Sequence, residues 1–204
     1  ETVRSLREFI ETGRRARDFP RQEGTRDTVR ELFLLSEKPV IYVCNVSEEE
    51  ASGGGRNAEV SKVREHAERS GDEVIVVSAR IEAEIAELEG EEKAVFLEEL
   101  GLSASGLDRL VNCAYSNLGL LTYFTAGPKE VRAWTVRRGT KAPGAAGLIH
   151  TDFERGFIRA ETISYEDYVG EGSEQLVREA GKMRLEGKDY EVCDGDVMFF
   201  RFNV

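Results

Sequence analysis

Two short apolar runs in this sequence end in polar residues whose chemistry suits a flat heterocyclic ring. The first is Pro39-Val-Ile-Tyr-Val-Cys44, followed by Asn45-Val46-Ser47-Glu48. An asparagine amide carries a donor and an acceptor in one plane, and that pair matches two adjacent groups on a base edge, such as N6 and N7 of adenine. The second is Glu73-Val-Ile-Val-Val77, followed by Ser78-Ala79-Arg80. There the backbone can approach a ring and Arg80 can lie over it. Each piece also has a purely structural reading. Ser47-x-x-Glu50 is a capping box, Asn45 suits a turn, and a Ser-Ala step is a common helix N-cap.

Both pieces need the same scaffold. Neither run alternates, which predicts strands covered on both faces, as in a parallel sheet. Between them Ala58–Arg69 sets Val60, Val63 and Ala67 at helical spacing, after a glycine-rich loop over 51–57 and before the breaker Gly71-Asp72. Strand, helix, strand of these lengths is a right-handed βαβ unit. It brings the two polar ends to one sheet edge, where open α/β sheets bind ligands. Helices are predicted ahead of it over 1–12 and 26–35, and after it within 81–100 and over 103–118. The stretch from Glu82 to Glu99 holds eight Glu and one Lys; it reads as a solvated helix face or as an acidic docking site.

From Gly119 the texture changes. Strands are predicted over 120–125 and 131–136 as a hairpin, then a short Ala/Gly-rich helix within 142–150 and a strand over 157–163. A polar stretch leads to Gly181, and strands follow at 183–185, 190–192 and 197–202. One helix among several strands describes a compact α+β domain, with a boundary near residue 118. Residues 128–160 hold seven basic side chains, Lys129, Arg132, Arg137, Arg138, Lys141, Arg155 and Arg159, against three acids, with Trp134, Phe153 and Phe157 interleaved. That pattern fits an RNA-facing surface, and also a solvated basic rim around core aromatics.

Other chemistry is sparse. His66 and His150 stand apart, so no metal site is expected, and no Ser or Cys has the setting of a nucleophile. Asp194-Gly195-Asp196 reads as a β-turn. Cys44, Cys113 and Cys193 read as isolated buried thiols in a reducing compartment, the cytoplasm. With 204 residues, 40% hydrophobic and 33% charged, the chain is not a disordered or fibrous one. Its net charge of -11 argues against coating nucleic acid or membrane with the whole surface. No run approaches the roughly 20 apolar residues of a bilayer span. Neither a membrane nor DNA is expected as a partner. The acid is uneven: residues 1–116 carry 25 acids against 16 bases, residues 117–204 only 14 against 12.

Taken together, the motifs resemble one family. Asn45-x-x-Glu48 is similar to the base motif of the YchF-type, Obg-like ATPases of the translation-factor-related P-loop GTPase superfamily, whose ordinary GTPases carry Asn-Lys-x-Asp. Ser78-Ala79-Arg80-Ile-Glu-Ala-Glu84 resembles the base loop that follows in that family. The likeness continues through Gly106-Leu-Asp-Arg-Leu110, Leu121-Thr-Tyr-Phe-Thr-Ala-Gly127 and Glu130-Val-Arg-Ala-Trp-Thr135. It runs on through Gly139-Thr-Lys-Ala-Pro143, Ile149-His-Thr-Asp-Phe-Glu-Arg-Gly-Phe-Ile158, Gly187-Lys-Asp-Tyr190 and Asp194-Gly-Asp196. It covers essentially residues 36–204 and more loosely 1–35.

The resemblance implies an α/β fold, the C-terminal half of a P-loop nucleotide-binding domain with parallel strands, plus an α+β β-grasp (ubiquitin-like) TGS domain. By position, residues 1–24 would end a helical coiled-coil insertion, 25–117 would be the second half of the nucleotide domain, and 118–204 the TGS domain. It implies a ribosome-binding ATPase that uses ATP and Mg²⁺ and works in the cytoplasm, with ribosomal RNA or protein and ATP/ADP as partners. Asn45 and the backbone of Val46 would hold the base, with Glu48 in the motif and Ser78, Ala79 and Arg80 packed beside it. Glu48, one methylene longer than the GTPase aspartate, need not reach guanine's N1 and N2 donors, so selection against adenine lapses. One departure stands out. No Gly-x-x-x-x-Gly-Lys-Ser/Thr occurs in these residues, and phosphoryl transfer depends on that cradle and its Mg²⁺-binding hydroxyl. No catalytic residue is therefore expected within the chain, and no ATP turnover from it alone. The competing reading is a TGS-type RNA or ribosome interaction module without nucleotide hydrolysis.

Overall fold

The computed structural model describes residues 1–22, 24–52, 57–127 and 130–203. It divides into two units, Glu1–Ala114 and Tyr115–Val204.

In the first unit, α1 (Thr2–Glu11) and α2 (Thr25–Arg30) bury Leu6 and Val29 against Ala16, with Ile10, Phe19 and Leu34 around them. The basic stretch between these helices is held by one carboxylate. Arg15 Nη1 lies 2.8 Å from Asp72 Oδ2, Arg17 pairs with the same carboxyl, and Arg17 Nη2 donates to the Ser70 carbonyl at 2.7 Å. The two guanidiniums hold the Asp72 carboxyl at about 2, below its ordinary 3.8.

Both non-alternating runs become strands of one parallel pair. β1 (Ile41–Asn45) and β2 (Glu73–Val77) run in register from Ile41 opposite Glu73 to Asn45 opposite Val77. The connection carries α3 (Glu48–Ser52) and α4 (Ala58–Ser70). The capping box forms: Glu50 Oε2 accepts from the Ser47 amide at 3.1 Å, and the Glu50 amide donates to Ser47 Oγ at 3.3 Å. Glu50 Oε1 also accepts from Asn57 Nδ2 at 2.9 Å, while Asn57 Oδ1 caps α4 through the Val60 amide at 2.7 Å. These bonds hold the Glu50 carboxyl below its usual range. The expected loop over 51–57 is thus helical at its start, and its residues 53–56 lie outside the described residues.

Three helices follow: α5 (Ala79–Ala86), α6 (Gly90–Glu99) and α7 (Gly106–Asn117). α5 buries Ile81 and Ile85, whereas α6 buries no residue. The glutamates of this stretch therefore ride on a largely solvated helix.

The second unit is a five-stranded sheet in the order β4-β3-β7-β5-β6, from β3 (Leu120–Ala126), β4 (Val131–Arg137), β5 (Phe157–Ser164), β6 (Arg184–Glu186) and β7 (Asp196–Phe202). β3 and β4 form the expected antiparallel hairpin; β3 and β7 are parallel, and β5 is antiparallel to both β6 and β7. Strand alternation sends side chains to two separate cores. One holds Leu121, Tyr123, Val136, Phe157 and Met198 with the alanines of α8 (Ala142–Ile149), and Tyr123 donates its buried hydroxyl to the Ala145 carbonyl at 2.9 Å. The other holds Ile163, Val177 and Val197, with Phe124 and Phe199 packed against them.

Among the described residues four helices, not the single one expected, accompany this sheet. After α8 come α9 (Thr151–Arg155), α10 (Tyr165–Glu171) and α11 (Glu174–Glu179). The polar stretch before Gly181 is thus two short helices, started by Ser164 and Ser173, whose hydroxyls accept from the Asp167 and Leu176 amides. The strand expected at 190–192 is one isolated bridge, Lys141 to Glu191. Its backbone pairs with the start of α8 instead, the Ala142 amide donating to the Tyr190 carbonyl and the Val192 amide to the Thr140 carbonyl, each at 2.9 Å. The turn Cys193–Asp196 follows, where the Asp196 amide donates to the Cys193 carbonyl at 3.2 Å and Gly195 adopts φ +81°. Asp196, buried, accepts from Tyr190 Oη at 2.7 Å and the Cys193 amide at 2.8 Å. Cys193 itself is exposed, unlike the buried thiol expected, while Cys44 and Cys113 are half-buried.

Candidate functional site

The parallel register brings the two polar strand ends together. Asn45, last residue of β1, stands opposite Val77, last residue of β2. The Val46 amide donates to the Val77 carbonyl at 2.9 Å, extending the ladder by one bond. Asn45 Oδ1 then accepts from the Ala79 amide at 3.0 Å. Ala79 opens α5, whose N-cap residue Ser78 is buried and gives no side-chain cap. Asn45 therefore satisfies a first-turn N–H of α5 from across the sheet. Because a backbone N–H must face an acceptor, this bond also fixes which end of the amide is oxygen. The exposed Asn45 presents its NH₂ outward.

Glu48, in the first turn of α3, meets Arg80, in the first turn of α5. Glu48 Oε1 lies 2.8 Å from Arg80 Nε, and Glu84 Oε1 stands 3.7 Å from the same nitrogen. All six residues singled out at the strand ends thus sit in one place: Asn45, Val46, Glu48, Ser78, Ala79 and Arg80.

The donor and acceptor pattern of this edge is specific. The amides of Val46 and Ala79 are both engaged within the protein. A base approaching here meets the Asn45 NH₂ as a donor, which suits N7 of either purine. The two-point match to adenine N6 and N7 would require the Asn45 oxygen to accept a second bond beside Ala79. Guanine's O6, an acceptor, finds neither of these amides free, whereas adenine's N6, a donor, does not need them. The residues present leave the Asn45 NH₂ as a donor for a purine N7.

Two supporting residues were not evident from the sequence. Glu82 accepts from the Gly106 amide at 2.7 Å and the Leu107 amide at 3.2 Å, capping α7 from α5. Arg109 donates from Nη2 to the Val76 carbonyl at 2.9 Å, so α7 is tied to β2. A glutamate three residues after Ala79 gives no such signal alone, because its partners lie 24 and 25 positions on.

The basic set of the second unit is divided by the sheet. Leu120 pairs with Arg137 and Thr125 with Arg132, so these arginines occupy opposite ends of β4, about 17 Å apart at about 3.3 Å per residue. Arg138 and Lys141 follow Arg137. Arg159 stands opposite Arg201 near the far end of β7, and Arg155 precedes it by one short turn. All six are exposed; Lys129 lies outside the described residues. Arg132 covers the Trp134 ring at 4.4 Å, and Lys141 pairs with Asp189 at 2.8 Å. Among the aromatics, Phe157 is buried, and Phe153 stacks on Phe202 with centroids 3.8 Å apart. Trp134 is half-buried and donates to Thr125 Oγ1 at 2.9 Å. These rings belong to the core. Among the described residues no helix is long and apolar enough to cross a membrane.

Comparison with known proteins agrees with this architecture. Residues 120–203 match the family model YchF-GTPase_C, described as a protein of unknown function (DUF933). The chain is 56% identical over 204 residues to a protein of Bacillus subtilis (strain 168) named ribosome-binding ATPase YchF, spanning all of this chain and 56% of that one. The chain belongs to the YchF family. A second member, Obg-like ATPase 1 of Rattus norvegicus, is 46% identical over 173 residues, covering 84% of this chain and 43% of its own length. The solved structure of the Schizosaccharomyces pombe YchF GTPase superposes with a TM-score of 0.80 at 33% identity, over 97% of this chain and 53% of that one. The chain thus spans about half the length of the YchF relatives it matches.

Proposed function

We propose that this chain supplies the base-recognition edge and the ribosome-facing portion of an adenine-preferring P-loop ATPase that acts on ribosomes in the cytoplasm. In this reading residues 1–24 end a helical insertion, 25–117 are the second half of a nucleotide-binding domain, and 118–204 form a TGS domain of β-grasp type. ATP is the nucleotide. Its phosphates and Mg²⁺ are held by a P-loop that these residues do not contain, and Mg²⁺ there supplies neutralisation of phosphate charge.

One observation carries the nucleotide part. The Val46 and Ala79 amides are engaged, the latter by Asn45 itself, which leaves Asn45 NH₂ as the donor for N7. Asn45 thus has two tasks, and one substitution separates them. Asn45→Asp keeps an oxygen for the Ala79 amide and replaces the donor by a second acceptor. We expect the variant of the full-length protein to keep its thermal stability and to lose about tenfold or more in ADP affinity, the scale of one mismatched hydrogen bond at a site built to make it. Titration calorimetry with ADP and GDP measures this. An Asn45→Asp protein that binds ADP as tightly as the parent would refute the assignment.

The ribosomal part rests on the exposed arginines of the second unit. Cationic side chains that release counterions on binding RNA make affinity fall with salt. The names of the Bacillus subtilis and related proteins support the ribosome as the partner.

A further inference from the structure

The Glu48–Arg80 pair has a consequence for which base is admitted. A carboxylate beside the base edge is an acceptor with two oxygens, which suits guanine's N1–H and N2–H₂ donors. Glu48 is such a group, and it is turned to Arg80 Nε at 2.8 Å. Arg80 is in turn anchored from its own helix by Glu84, one turn later on α5, at 3.7 Å. The α5 backbone that roots Arg80 is fixed to β1 through Asn45 and the Ala79 amide. The guanidinium is thus rooted beside β1 and, exposed as it is, draws the Glu48 carboxylate toward α5.

We infer that Arg80 is a positioning residue for base discrimination: it holds the Glu48 carboxylate in an ion pair and so withholds it from guanine. The inference rests on the nucleotide reading above and adds a determinant to it. The pair is largely exposed and stabilises the fold little. Its effect lies in where it keeps the carboxylate. Of the two barriers to guanine, the engaged backbone amides are built into the sheet and helix, whereas the ion pair is set by side chains and is removable by substitution.

The test uses the full-length protein and a double-mutant cycle of Arg80→Met and Glu48→Gln, reading the ratio of ADP to GDP affinity. Arg80→Met is expected to narrow the ratio up to about fivefold in favour of GDP, because the carboxylate is released from an exposed pair worth no more than about 1 kcal/mol. Adding Glu48→Gln to Arg80→Met is expected to remove that gain. Packing of Arg80 against the ring would weaken both nucleotides alike and leave the ratio unmoved. High salt, which screens an exposed pair, is expected to shift the parent's ratio toward that of Arg80→Met. An unchanged ratio in Arg80→Met overturns the inference, and so does a gain that persists in the double variant. A parent protein without any preference for ADP would instead overturn the underlying reading, so the two failures are distinguishable.

Discussion

Glu82 on α5 closes the N-terminus of α7 by accepting the Gly106 amide at 2.7 Å, and the approach is so close that residue 106 has room only for glycine. A Cβ there would lie 2.6 Å from Glu82 Oε1 and 2.7 Å from Val77 Cγ1. Val77 is the last residue of β2, whose carbonyl takes the Val46 amide. The α7 cap is therefore linked to the strand end proposed to build the base edge. Gly106→Ala must push the carboxylate off the cap or shift the strand. We expect a loss of about 1–3 kcal/mol, the usual scale for overpacking, visible as a lowered Tm, with weakened ADP binding alongside it. A variant with unaltered Tm would show that this close approach relaxes freely.

Asp72 gives the first unit an acid-sensitive joint. Its folded value of about 2 is depressed from 3.8, mainly by its bond to Arg17 and then by Arg15, against the opposing effect of burial. A depressed carboxyl contributes stability that is complete above its unfolded value. That stability is lost as pH falls from about 4 through about 2, and linkage sets its size at roughly 2 kcal/mol. Asp72→Asn should remove this limb. The parent and the variant should therefore differ most in unfolding free energy above pH 4 and converge toward pH 2. Denaturant titrations across that range measure it, and curves that stay parallel down to pH 2 would exclude the role.

How far the sequence foretold this arrangement differs between the two units. The βαβ unit and the β3–β4 hairpin were legible because unbroken apolar runs of strand length, and two strand-like runs joined by Gly127-Pro128, are strong signals. α10 and α11 were not. They have seven and six residues, too few for helical periodicity to emerge, and only Ser164 and Ser173 mark their starts. At the site, Asn45 and Ala79 could be assigned to strand ends from pattern alone. That they bond to each other could not, since they lie 34 positions apart and only the parallel register brings them together. The separation of Arg132 from Arg137 followed from the strand expected over 131–136, whereas the meeting of Arg159 with Arg201 across the sheet did not, since these lie far apart in the chain.

The 204-residue chain should not hydrolyse ATP. It contains the edge proposed to meet the base but no Gly-x-x-x-x-Gly-Lys-Ser/Thr, and phosphoryl transfer is almost wholly positioning and charge stabilisation at the phosphates. Phosphate release from the purified chain with ATP and Mg²⁺ should equal the background without protein. Turnover at the rate of the full-length protein would mean that a phosphate site exists among these residues.

The exposed cations in and after β4 should contribute unequally to ribosome binding. All three acids of residues 128–160, Glu130, Asp152 and Glu154, accompany Arg132, Arg155 and Arg159 in sequence, and Glu130 lies 3.8 Å from Arg132. At the other end Arg137 and Arg138 make no ion pair with the described residues, and only Lys141 is engaged, by Asp189. A cation without a local carboxylate releases more on meeting phosphate, because no internal pair must first be broken. Reversing Arg137 and Arg138 together to Glu should therefore weaken ribosome binding by about tenfold or more at low salt. The salt dependence should flatten by about one unit of slope for each phosphate no longer neutralised. The same reversal at Arg132 and Lys141, whose cations already meet Glu130 and Asp189, should cost less. Sedimentation with ribosomes across a salt series compares the two, and equal losses from both pairs would sink the argument from local pairing.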